Sequence, residues 1–203
     1  NTLTISGGIT ANASLTFGNA SDGGITVSSI IGGTGGIAKD GAGAGKLILT
    51  TTNTYAGTTS ITTGVIQIQN STSLGASGSS GTTVSATGAA LEINGTSALA
   101  IPETSTINGT GLSSGGAIKL VGASSAATLS GAITVASASR INTDITSGTN
   151  TLTIAGGITA NANLSLGTTS AGGIIVSSVI GGTGGGIEKD GTGTGKLLLT
   201  TAN

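Results

Sequence analysis

"KDGAGAGKLILTTTNTYAGTTSITTGVIQIQ" occupies Lys39–Gln69. Two apolar runs of strand length, Leu47–Thr51 and Val65–Gln69, flank a segment of Asn, Thr, Tyr and Gly, and a glycine-rich corner precedes the first. Successive side chains of an extended chain point to opposite faces. In the second run this puts Val65 and Gln67 on one face and Ile66 and Ile68 on the other. Further short runs rich in β-branched residues recur along the chain, among them Thr2–Ile5, Ile25–Ile31, Thr82–Ser85, Ala117–Val121 and Ala127–Val135, each bounded by Gly, Ser, Asn or Asp. No stretch of helical length repeats with a period near 3.6, and glycine recurs too often for stable helices. The chain reads as all-β.

The same phrase opens a second time as "KDGTGTGKLLLTTAN", Lys189–Asn203. It belongs to a longer repeat. Asn1–Gly36 aligns without gaps on Asn150–Gly185 with 27 identities in 36 pairs, and after one inserted residue, Gly186, Ile37–Asn53 aligns on Ile187–Asn203 with 12 in 17. Residues 1–149 are therefore one super-repeat of about 150 residues, and 150–203 begin the next. No linker separates the copies; 136–149 reads as one more strand and turn.

Composition decides between all-β architectures. Of 203 residues, 39 are Gly, charged residues make up 6%, and Phe17 and Tyr55 are the only aromatics. A sandwich or antiparallel barrel draws on bulky core residues and hairpin turns. A parallel solenoid stacks thin layers of small aliphatic side chains, each coil covered by the next. The chain is expected to be a right-handed parallel β-helix (β-solenoid) forming a single continuous rod. At roughly 20 residues per coil it would have on the order of ten coils and, at 4.7–4.9 Å between paired strands, a length of about 45–50 Å.

Gly35–Gly75 resembles the autotransporter-associated β-strand repeat of bacterial surface and secreted passenger domains. The resemblance rests on Lys39, Gly41 and Gly45 in a glycine-rich turn, Leu47 and Leu49 in a strand, Asn53-Thr54-Tyr55, Gly57-Thr58-Thr59, and Gly64 before Val65-Ile66. It covers about 60 residues well, and Gly185–Asn203 starts a second instance. It implies a β-helix exposed at, or released from, a bacterial surface. The expected function is the structural shaft of a cell-surface adhesin or extracellular filament, without catalytic activity in this segment. Two alternatives remain open: the non-catalytic part of a carbohydrate-active β-helix enzyme, and a phage-type receptor-binding fibre.

Composition narrows the chemistry. The formal net charge is -1 and no basic patch exists to neutralise phosphates, so nucleic acid is a poor partner. No apolar run reaches the roughly 18 residues of a membrane span. With no His and no Cys, imidazole bases, thiol nucleophiles and thiolate metal sites are excluded. No Met is present, so the chain reads as part of a longer or processed protein. The acids form no calcium-loop pattern. Arg140 and Asp144 are the one mid-chain acid–base neighbourhood, read as a surface pair. Lys39-Asp40-Gly41 and Lys189-Asp190-Gly191 read as corners, with Asp bonding its own backbone, Gly supplying positive φ and Lys keeping a strand edge soluble. The glycine runs "GGTGG" and "GAGAG" lack the G-K-[ST] ending of a phosphate loop, since Gly45-Lys46 is followed by Leu47. The doublets Thr2/Thr4, Thr104/Thr106 and Thr151/Thr153 have the local pattern of an ice-ordering ladder but lie many coils apart. Tyr55 is expected over Gly57 or a corner rather than offered to a sugar. No catalytic, cofactor or metal-binding residue is expected. The expected partners are neighbouring copies or the continuation of the same repeat, end to end, at the cell surface or outside the cell.

Overall fold

The computed structural model describes residues 1–19, 22–41, 44–76, 78, 80–122, 126–146 and 148–202. It is a parallel β-solenoid. Among the described residues, apart from one short 3-10 turn at Leu112–Ser114, all regular elements are strands, and every pairing is parallel. The chain passes in order through a first, a second and a third face, then returns to the first face one layer on.

The first face starts with Leu3–Ile5, Ile25–Val27, Leu47–Leu49, Gly64–Ile68, Ala89–Ile93 and Ile118–Gly122. It continues through the second half of the long strand Ile133–Ile145, then Leu164–Thr168 and Ile187–Asp190. The third face runs from Leu15–Gly18 through Ile37–Asp40, Thr59–Ile61, Thr82–Val84 and Ser105–Gly109. It continues through the first half of Ile133–Ile145 to Ile158–Ala160 and Ile180–Gly181. The second face is the least regular. Ile9–Thr10 pairs with Ile31–Gly32, and Leu99–Ile101 begins a five-strand ladder ending at Leu197–Leu199. Between these, side chains and loop backbone bridge the coils. The Ile31 N–H donates to Asn53 Oδ1 (2.8 Å), Asn53 Nδ2 to the Ser73 carbonyl (2.6 Å), and the Ala76 N–H to the Tyr55 carbonyl (3.0 Å).

Strand register builds the core. Leu3, Ile25, Leu47, Ile66, Leu91, Ile118, Ile141 and Leu166 stack in one column on the inner side of the first face. Leu47, Ile66, Leu91, Ile118, Ile141 and Leu166 are each 0% exposed. Each layer needs only one or two aliphatic side chains per face because the layers above and below cover it, which is how a chain almost without aromatics acquires a continuous core. The first face takes eight steps, so the solenoid has about eight turns rather than ten. Corners longer than those of an average turn account for the difference. Ile66 and Leu91 are register partners 25 residues apart, and Leu91 and Ile118 are 27 apart. Eight steps of 4.7–4.9 Å give a rod of about 38 Å.

The ladders run unbroken through the junction of the two copies, since Ala127–Leu129 pairs with Leu152–Ile154. Gly186 lies in the corner between Ile180–Gly181 and Ile187–Asp190, where an extra residue leaves strand register intact. Its N–H donates to Asn163 Oδ1 at 3.0 Å. Ile154, Val27, Val176 and Leu49 are buried as the repeat implies, and Ile5 packs partly buried against the core. Leu199 is in register with buried Val176 and so faces inward too, but it is 45% exposed because no coil covers it.

Equivalent residues nevertheless do not share a face. Leu3–Ile5 is on the first face and its equivalent Leu152–Ile154 on the second. Ile9 is on the second and Ile158 on the third; Leu15 is on the third and Leu164 on the first. One super-repeat spans six full turns plus one face.

Candidate functional site

The outer side of the first face carries the charge. Among the described residues all three ion pairs lie there. Lys46 Nζ reaches Glu92 Oε2 at 2.5 Å across an intervening coil, whose Gln67 Nε2 donates to the same oxygen at 2.9 Å. Lys119 pairs with Asp144 at 2.8 Å, and Arg140 with Asp190 at 3.0 Å. Arg140 and Asp144 thus engage different partners. Arg140 Nη1 also donates to the Ser114 carbonyl at 2.6 Å, and Asp144 Oδ1 accepts from Thr169 Oγ1 at 3.0 Å. The Lys119 ammonium bonded to Asp144 holds that carboxyl below its ordinary value. Opposite charges one or two coils apart neutralise each other along the strip, so it presents neither a cationic nor an anionic surface.

The Lys-Asp-Gly corner is partly as expected. Gly41 has φ +98° and its N–H donates to Asp40 Oδ1 at 2.6 Å; this bond, with Thr63 Oγ1, keeps the Asp40 carboxyl below its ordinary value. Lys39 is different. It does not solubilise an edge but points into the core, in the inward column between Phe17 and Ile61, and is 0% exposed. Its ammonium donates to Asn19 Oδ1 (2.7 Å) and to the Asp40 carbonyl (2.8 Å). Burial pushes its pKa down, with the Asp40 charge opposing. Lys189, in the uncovered last coil, is exposed. Of the "GAGAG" run, Ala42 and Gly43 lie outside the described residues, as does Asn203.

The three Thr doublets fall on three different faces and do not stack on one another. Thr4 neighbours Thr26, Thr153 lies between Thr128 and Ile175, and Thr106 is on the third face. A different threonine column does exist. Thr83, Thr106, Thr134 and Thr159 stack in four successive coils on the outer side of the third face. Their unequal sequence spacing hid the column. It is one residue wide, bounded by Ser60 and Gly181.

Tyr55 is not available to a sugar. It is 0% exposed, its hydroxyl is 2.5 Å from Thr59 Oγ1, and its ring packs against Gly75 rather than Gly57, since a Cβ on Gly75 would lie 3.0 Å from Cε2. It forms one end of a polar inclusion in the core. Thr59, Thr82 and Ser105 stack inward in three successive coils of the third face, and Glu103, two residues before Ser105, is 5% exposed. Neither Glu103 carboxyl oxygen nor Thr82 Oγ1 has a hydrogen-bond partner. Burial pushes the Glu103 carboxyl up, and burial together with the nearby Glu103 charge pushes the Tyr55 phenol up. Sequence reasoning missed Glu103 because no other charged residue lies within ten positions of it, so its place in the core shows only once the coils are stacked. The members of the inclusion, hydroxyls and one carboxyl, are each at most 6% exposed. Among the described residues no three of Asp, Glu, His and Cys come together as metal ligands.

No family model, no curated protein and no solved structure matches the chain.

Proposed function

We propose that the chain is a load-bearing segment of a β-solenoid shaft, belonging to a bacterial cell-surface adhesin or an extracellular filament. The observation that supports this reading is the unbroken parallel ladder of the first face, nine strands long, over an aliphatic column. Side-chain hydroxyls add links between coils. Thr50 Oγ1 donates to the Val27 carbonyl, Thr62 Oγ1 to the Lys39 carbonyl and Ser73 Oγ to the Thr51 carbonyl. A pull along the axis must break each such layer in turn. The likeness of Gly35–Gly75 to autotransporter-associated repeats supports the surface location. Core positions of that pattern have structural duties here: Leu47, Leu49 and Tyr55 fill the interior, Asn53 bridges coils, and Gly64 turns with φ +74°.

The test is localisation. Antibodies raised against the folded chain are expected to label intact cells that make it, or material shed from them. Labelling that requires permeabilised cells would overturn the surface role.

A further inference from the structure

We infer that the last coil, Ile187–Asp190 with Leu197–Leu199, is a seat for another coil of the same repeat, of the kind this chain carries at Thr54–Ile68, and that copies joined through this seat each turn by one third of a revolution about the rod axis. The inference rests on the shaft reading above and names the shaft's partner.

The first copy shows what the seat holds. Leu47–Leu49 is the equivalent of Leu197–Leu199, and Gly64–Ile68 lies on it, with Leu47 opposite Ile66 and Leu49 opposite Ile68. Under that cover Leu47 and Leu49 are 0% and 1% exposed; without it their equivalents Leu197 and Leu199 are half-buried and 45% exposed. Ile37, covered by Thr59, is 1% exposed, and its equivalent Ile187 is 37%. Charge agrees with shape. Lys46 is neutralised by Glu92 two coils on, and Lys196 holds the same place in the second copy, exposed beside Thr151, Gly173 and Leu198. A seated copy would bring its own glutamate to Lys196.

The turn follows from the register. Leu47–Leu49 lies on the first face and Leu197–Leu199 on the second, so the same cover lands one face further round. Six turns and one face per super-repeat place every surface feature on three faces in succession. The ion-paired strip would wind round the shaft, rising about 30 Å per copy and returning to its first face after about 90 Å.

The experiment appends residues 54–149 after residue 203, so that an added Thr54 follows an asparagine as it does in the first copy. Two cysteines are placed at Leu198→Cys and at the added copy of Gln67. The control is Ile48→Cys with Gln67→Cys in the original chain, which are register partners. Laterally paired Cα atoms at about 4.8 Å lie within disulfide reach. The expected result is oxidation as complete as in the control. A third chain carries Asp190→Cys, on the first face, with the added copy of Gln67. A disulfide there in place of the one at Leu198 would overturn the one-third turn. No disulfide at either position, with the control formed and the first 203 residues folded, would overturn the seat. Either failure leaves the surface-labelling test of the shaft reading untouched.

Discussion

Leu3 and Leu152 hold the same place in the sequence repeat, yet Leu3 pairs with Ile25 on the first face while Leu152 sits between Ala127 and Ile174 on the second. The three faces can exchange sequences because each asks the same of a strand: one or two inward aliphatic side chains and backbone partners on both sides. Nothing in that demand distinguishes one face from another. The repeat length is therefore free of the turn length, and a super-repeat can end partway round a coil.

Coverage, not residue type, sets the cost of truncation. Leu91→Ala removes a side chain that is 0% exposed between Ile66 and Ile118, and is expected to cost about 2–5 kcal/mol. Leu199→Ala, at a position 45% exposed, is expected to cost under about 1 kcal/mol. Urea unfolding of both variants measures the difference. Equal losses would mean that the last coil is covered in solution.

The same logic applies to glycine. A Cβ on Gly45 would run into the Gly23 carbonyl and the Asn19 amide, whereas one on Gly181 meets nothing within 4 Å. Gly45→Ala is expected to destabilise by about 1–3 kcal/mol through forced separation of two coils. Gly181→Ala is expected to stay within about 0.5 kcal/mol of the parent. Thermal melts that rank the two the other way round would contradict the stacking at that corner.

Inside the core, Tyr55 and Thr59 form a hydrogen bond at 2.5 Å with both residues 0% exposed. Tyr55→Phe keeps the ring and loses the hydroxyl, and is expected to cost about 0.5–1.5 kcal/mol. A double-mutant cycle with Thr59→Val isolates the pair. A coupling energy indistinguishable from zero would show that the hydroxyls do not depend on each other.

The fold was legible in the sequence because its signals are local. Alternation in Gly64–Ile68, glycine corners and scarce aromatics are visible residue by residue, and the inserted Gly186 could be assigned to a corner from register alone. What was not legible depends on which residues stack. Lys39 looked like an edge residue because its satisfaction comes from Asn19, one coil back. The column Thr83, Thr106, Thr134 and Thr159 has no regular spacing, since the intervening corners differ in length. The Lys46–Glu92 pair joins residues 46 apart, a separation that means nothing until the coils between them have been counted.

Glu103 gives the chain a pH dependence with a definite sign. Burial raises its carboxyl pKa above the ordinary 4.5, so the folded state binds its proton more tightly than the unfolded state does. The stability this contributes is complete below pH 4.5 and is lost as pH rises through the higher folded value. Asp40 and Asp144 act in the opposite direction. Their lowered pKa values contribute stability above pH 3.8 that is lost as the solution becomes more acidic. Glu103→Gln keeps the shape and stays neutral throughout, so it removes the first effect and leaves the second. The variant is expected to match the parent near pH 4, to exceed it as pH rises through the folded value of Glu103, and to keep a constant advantage above that value. Urea midpoints for both proteins across that range supply the measurement. Parallel profiles would show that the Glu103 carboxyl ionises as freely in the fold as in water, and that the polar inclusion of Thr59, Thr82 and Ser105 is open to solvent.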